Sequence, residues 1–93
     1  MVVFTGVLDS YREQIRAFLA SNFYVTNMGT LTDDASLLEE GIIDSTGVLE
    51  VVGFIEATFG ITVEDNEILP ENLDSIFGIA HFLARKTKVI AGL

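Results

Sequence analysis

The sequence predicts an all-α fold, an up-down bundle of three main helices plus a short helical turn. Three observations carry this. Apolar residues recur at helical spacing in three separated stretches, and each stretch is bracketed by recognisable start or stop residues. The one β-branched run, Ile61-Thr62-Val63, is too short and isolated to need a sheet partner and reads as a packed linker. No internal repeat or second period appears, and 93 residues fit one domain with a modest core.

The first helix is expected over about 5–22. Its start falls between Thr5 and Ser10, the latter heading a Ser10-x-x-Glu13 capping box. Leu8, Tyr11, Ile15, Phe18 and Leu19 form its apolar stripe, and Arg12, Glu13 and Arg16 occupy its other face. Residues 23–44 are rich in turn formers (Asn27, Gly29, Thr30, Thr32, Asp33, Asp34, Ser36) and predict a long loop. Loops of that length inside compact domains are usually functional or disordered. Leu31, Leu37, Leu38, Ile42 and Ile43 favour function, because they are able to pin the loop to the core.

A second helix is expected over 45–59, with Asp44 as N-cap and Gly60 as stop signal. Val48, Val51, Val52, Ile55 and Phe59 make its buried stripe, leaving Thr46, Leu49, Glu50, Gly53 and Glu56 outward. Gly47 and Gly53 each lower helix propensity by about 1 kcal/mol relative to alanine, so this helix is expected to be locally soft. Pro70 starts a short helical turn within about 68–73. The last helix is expected over about 75–87, beginning at Asp74 or Ser75. Ile76, Ile79, Ala80 and Leu83 face inward, and Arg85, Lys86 and Lys88 lie near the negative C-terminal dipole. Residues 88–93 are expected to fray.

Charge is segregated. The net charge of −9 arises from 14 acidic and 5 basic residues, and twelve of the acids lie between Asp33 and Asp74, a stretch with no lysine or arginine. Such a field repels nucleic acid and anionic lipid and attracts basic surfaces, unless it serves only as a solvated face. With no cysteine there is no disulfide framework and no thiolate site, which suits the cytosol. The apolar opening Met1 to Leu8 lacks a basic start and soon meets Asp9, Arg12 and Glu13, so neither a signal peptide nor a membrane span is expected.

Candidate chemistry narrows quickly. Ser45, His81 and the aspartates supply the residue types of a nucleophile, base and orienter, yet Ser45 lies outside any Gly-x-Ser-x-Gly elbow and no strand precedes it. His81 reads as a partly exposed helix residue, and no enzyme is expected. Asp33 with Asp34, and Glu64-Asp65-Asn66-Glu67, lack the spacing of a calcium loop, so no metal site is expected. There remains a serine at the head of an acidic helix, behind an aspartate and a pinned loop. Asp44-Ser45 is a common helix start. A serine in that first turn is also well placed to accept a phosphodiester, because the helix N-terminus tolerates phosphate.

The run Ser36-Leu37-Leu38-Glu39-Glu40-Gly41-Ile42-Ile43-Asp44-Ser45 resembles the acyl carrier protein family, including the peptidyl and aminoacyl carrier domains of modular synthetases. The likeness continues through Val48, Glu50, Val51, Ile55, Glu56, Phe59 and Gly60. It resumes at Leu69-Pro70-Glu71-Asn72-Leu73-Asp74-Ser75-Ile76, so it spans nearly the whole chain. The resemblance implies a four-helix carrier bundle over 1–93, with 4'-phosphopantetheine attached to Ser45 beside Asp44. Intermediates are then held as thioesters in fatty acid, polyketide or nonribosomal peptide type biosynthesis. It further implies a phosphopantetheinyl transferase, an adenylate-forming ligase and acyl synthase or transferase enzymes as partners, meeting Asp44, Thr46, Leu49, Glu50, Gly53 and Glu56. A monomer is expected, without nucleic acid or membrane contact.

Fatty-acid carriers usually read Asp-Ser-Leu-Asp where this chain has Asp44-Ser45-Thr46-Gly47, so an apolar contact and an acid beside the attachment point are missing. The Gly-Ile-Ile-Asp-Ser and Leu-Pro-Glu-Asn forms are more similar to free-standing carriers that work beside adenylate-forming ligases. The rival expectation is a noncovalent module, an acidic bundle whose Leu49 and Phe77 dock a basic partner helix.

Overall fold

The structure, a computed structural model, describes residues 2–87. Among these the chain is helical without strands: α1 (Val2–Asn22), α2 (Ser45–Phe59), α3 (Pro70–Leu73) and α4 (Ile76–Lys86). Short 3-10 turns at Met28–Thr30 and Asp65–Glu67 interrupt the connections. The expected fraying of 88–93 and the position of Lys88 lie outside the described residues.

The helix over 5–22 in fact starts at Val2, ahead of the predicted Thr5 to Ser10 boundary. Ser10 is no cap. Leu8 already belongs to the buried stripe with Ile15 and Leu19, so helix must form upstream of Ser10, whose Oγ accepts a hydrogen bond from Gln14 Nε2 at 3.2 Å on the exposed face. Arg16 departs from expectation too. Instead of lying on a free outer face, its guanidinium donates to the carbonyls of Met28 (3.1 Å) and Leu31 (2.6 Å) and to Asp33 Oδ1 (2.7 Å). Arg12 also pairs with Asp33, at 3.3 Å. The loop is thereby tied to α1 by cations as well as by buried Leu31, Leu37 and Ile43. Ile42 packs in part, but Leu38 does not pin the loop: it is 42% exposed.

Asp44 is extended (φ −120°, ψ −170°) and its Oδ1 accepts from Gly47 N at 2.8 Å, while Gly60 closes α2 in the left-handed region at φ 68°. Val51 and Ile55 are buried, with Val48, Val52 and Phe59 half-buried against them. Aromatic pairs weld α1 to α2: Phe18 stacks on Phe54 at 4.1 Å and Tyr11 meets Phe59 edge-on at 5.2 Å. Pairs of this kind contribute about 0.5–1.5 kcal/mol beyond their buried area. The middle of α1, at Tyr11, thus meets the end of α2, while Phe18 further along α1 meets the earlier Phe54, and the two helices run antiparallel.

The expected softness of α2 divides between its two glycines. Gly47 is buried, and a Cβ there would lie 3.0 Å from Ile43 Cβ and 3.1 Å from Phe23 Cε1, so the missing side chain permits a close approach. At Gly53 a Cβ would meet nothing within 4 Å. Gly53→Ala is therefore expected to stabilise the protein by about 0.5–1 kcal/mol, the propensity difference alone, read as a higher urea midpoint at unchanged slope.

After Gly60 the chain returns along α2, with Val63 buried and its N–H bonded to Glu56 Oε2 at 2.9 Å. The 3-10 turn at Asp65–Glu67 had no counterpart in the sequence pattern; Glu67 Oε1 accepts from Glu64 N and from Lys86 Nζ, both at 2.9 Å. The Glu64 backbone N–H, followed by Lys86, holds the Glu67 carboxyl below its ordinary pKa. A lowered folded pKa makes a contribution that is complete above the ordinary glutamate range and lost as pH falls through the lowered value. Below the ordinary range, Glu67→Gln is accordingly expected to weaken the acid dependence of stability, measured by urea midpoints at falling pH.

Pro70 occupies the first position of α3, and Ser75 caps α4 by accepting from Gly78 N at 2.9 Å. Ile76, Ile79, Ala80 and Leu83 are buried, joined by Phe82 and Ala84. Thr87, just past α4, meets Tyr11 Oη at 3.1 Å, whereas Phe77 at its start donates its N–H to the Asp33 carbonyl near Arg16. Helix α4 is therefore also antiparallel to α1, so α2 and α4 both run against α1 and in the same direction as each other in a small helical bundle. Arg85 donates to Asn72 Oδ1 at 2.8 Å, which ties the end of α4 to α3. No helix among the described residues is long and apolar enough to cross a membrane.

Candidate functional site

Ser45 is the first residue of α2 and is exposed. The capping bond to Gly47 N comes from Asp44, so the Ser45 hydroxyl is not spent on closing the helix end. Its position is set from both sides. Downstream, Val51 and Ile55 lock α2 to the core; upstream, Ile43 is buried against Gly47, and the Leu37 carbonyl accepts from Ile42 N (2.9 Å) and Ile43 N (3.3 Å). Gly41, at φ 75°, makes the left-handed turn that this loop closure requires.

Beside Ser45 lies a groove of about 260 Å³ lined by Leu38, Val48, Ile68, Leu69, Pro70 and Leu73. Its lining is mostly apolar, with Ser45 and Asp74 as its polar members. Leu38, misassigned as a core pin by its apolar character, belongs to this groove. A larger hollow of about 490 Å³ between Tyr24 and Ile42 includes none of the candidate site residues.

Thr46, Leu49, Glu50 and Gly53 are exposed on α2, Leu49 to 62%. Glu56 differs from the outward placement expected: it is half-buried and engaged with Val63 N. Other acids of the one-signed middle are engaged as well. Asp33 holds Arg12 and Arg16, Glu67 holds Lys86, and Asp74 accepts from Leu38 N through Oδ1 (2.9 Å) and from Ser36 Oγ through Oδ2. Glu39, Glu40 and Glu50, like Asp44, are exposed.

His81 stacks on half-exposed Phe77 at 4.0 Å, and its Nδ1 donates to the Phe77 carbonyl at 3.0 Å; neither residue lines the groove beside Ser45. Asp33 and Asp34 are not joined by further ligands, and among the described residues no group of three or more His, Asp or Glu side chains is placed to hold a metal ion.

The role of Asp74 was missed in the sequence, where it counts only as one acid more or as a helix start. Its position between core residues Leu73 and Ile76 is the sole local hint, since a polar residue flanked so closely by buried ones has its backbone fixed. Compared with known proteins, the chain matches no family model and shows no significant similarity to a curated protein.

Proposed function

We propose that this protein is an acyl or aminoacyl carrier, with 4'-phosphopantetheine joined to Ser45 through a phosphodiester. The observation that carries the reading is the division of roles at the head of α2: Asp44 caps the helix, and Ser45 stands exposed on a backbone fixed from both sides. The residues fit the group. A phosphate on Ser45 Oγ would sit at the positive end of a 15-residue helix, and the apolar groove beside it offers the arm or its cargo a surface to lie on. The arm supplies a thiol that holds a carboxylic acid as a thioester; the chain itself has no cysteine to compete.

On this reading the carrier performs no chemistry of its own and serves a cytosolic pathway. A phosphopantetheinyl transferase installs the arm, and ligases or acyl transferases load and unload it. Exposed Thr46, Leu49, Glu50 and Gly53, with Asp44, form the face those enzymes meet. Small acidic contacts favour fast, salt-sensitive encounters over long residence. Glu56 contributes less directly, because its carboxylate is committed to Val63 N.

The test is to incubate the purified chain with coenzyme A and a broad-specificity phosphopantetheinyl transferase, then measure intact mass and map the modified peptide. One arm on the peptide bearing Ser45 is expected. No gain in mass, or a gain on another peptide, overturns the proposal and leaves a noncovalent acidic module with Leu49 and Phe77 exposed.

A further inference from the structure

Asp74 borders the groove beside Ser45 while three of its oxygen atoms hold the loop that leads to that serine. Its backbone carbonyl accepts from Leu37 N (2.8 Å), Oδ1 accepts from Leu38 N (2.9 Å), and Oδ2 accepts from Ser36 Oγ. Ser36 Oγ in turn accepts from Glu39 N at 3.1 Å. Leu37, fully buried, passes the restraint on, because its carbonyl receives the N–H groups of Ile42 and Ile43. Ile43 is buried against Gly47, and Asp44 and Ser45 follow it directly. A continuous path of hydrogen bonds and packing thus runs from Asp74 to the head of α2.

We infer that Asp74 is a positioning residue for Ser45. It fixes residues 36–38, and through them both the entry into α2 and the Leu38 wall of the groove, so that an enzyme acting at Ser45 meets a hydroxyl already in place. Two hydrogen bonds converge on this side chain, one to each oxygen, so it restrains Ser36 and Leu38 together. A preorganised segment spares the encounter complex the entropy of ordering it. The inference rests on the reading that Ser45 receives the arm, so its test carries one readout that needs no arm.

Arm transfer from coenzyme A is measured for the parent chain, Asp74→Ala, Asp74→Asn and Ser36→Ala. Amide hydrogen exchange and relaxation are recorded on the same proteins before modification. Asp74→Ala is expected to lower kcat/KM for the carrier about tenfold, mostly through KM, as preorganisation is lost. The amides of Leu38 and residues 41–45 should exchange faster while those of α1 and α4 keep their protection. Asp74→Asn should stay close to the parent, since its carbonyl still accepts from Leu38 N and its amide donates to Ser36 Oγ, which keeps one lone pair beside the one that accepts from Glu39 N.

Parental kcat/KM with unchanged amides in Asp74→Ala overturns the inference. So does equal impairment of Asn and Ala, which assigns the effect to charge alone, or a loss of protection spread evenly over α1 and α4. If the parent takes no arm, the carrier reading fails and the amide measurements still decide the clamp. If Asp74→Ala does not fold, Ser36→Ala decides: a smaller rise in KM with faster exchange over 38–45 supports it, and parental behaviour sinks it.

Discussion

Ser45→Ala is expected to abolish attachment of the arm while changing stability by no more than about 0.5 kcal/mol, the range of surface substitutions away from special features. The loss should be complete, because the phosphodiester needs an oxygen nucleophile and alanine has none. Stability should hold for three reasons. Asp44 supplies the cap, Ser45 is exposed, and alanine is the better helix former at the first position of α2. Unfolding therefore offers no alternative account of a null result. Intact mass after incubation with coenzyme A and transferase reads the first half, and a urea transition reads the second. Persistence of the full mass gain in Ser45→Ala would move the attachment to another hydroxyl. A large drop in stability would assign Ser45 a capping role that the geometry gives to Asp44.

The candidate site was legible where its determinants are local. A helix start is written in the few residues around it, so Asp44 as cap, Ser45 at the head of α2 and Gly60 as stop follow from the chain itself. What escaped depends on the chain returning to itself. Asp74 clamps Leu38 across a separation of 36 residues, and nothing near either residue announces the other. Arg16 and Glu56 lie opposite an apolar stripe in the sequence, where polar residues usually face water. Each instead satisfies backbone groups of an adjoining connection, Arg16 at Met28 and Leu31 and Glu56 at Val63. Leu38 looks like a core residue by composition, yet the fold leaves it lining an open groove with Leu69. Helix propensity makes Gly47 a soft spot, whereas in the fold it marks a close contact with Ile43 and Phe23. Propensity describes one helix in isolation, whereas the reason for this glycine lies in what packs on it.

Gly78→Ala carries the same lesson with the larger energy. In an isolated helix the substitution would stabilise by about 1 kcal/mol. Here Gly78 is buried in the first turn of α4, and a Cβ would stand 2.5 Å from the Glu71 carbonyl oxygen and 3.0 Å from Ser75 Oγ. Neither neighbour is free to retreat. Ser75 Oγ holds the cap bond to Gly78 N, and the Glu71 carbonyl belongs to α3, which is anchored by buried Asn72 and Leu73. Asn72 is held further, donating to the Glu67 carbonyl at 2.9 Å and accepting from Arg85. Relief must come from moving α3 off α4, which drags Leu73 out of the core and opens the groove beside Ser45. Overpacking that forces side chains and backbone to shift costs about 1–3 kcal/mol, and with neither neighbour free to retreat the upper part of that range applies, so a net loss of about 1–2 kcal/mol is expected after the propensity gain of about 1 kcal/mol. Urea unfolding of Gly78→Ala beside Gly53→Ala makes the comparison internal, since the chemical change is identical and only the surroundings differ. Opposite signs are expected; a stabilised Gly78→Ala would mean that α3 and α4 do not approach as closely as the structure places them.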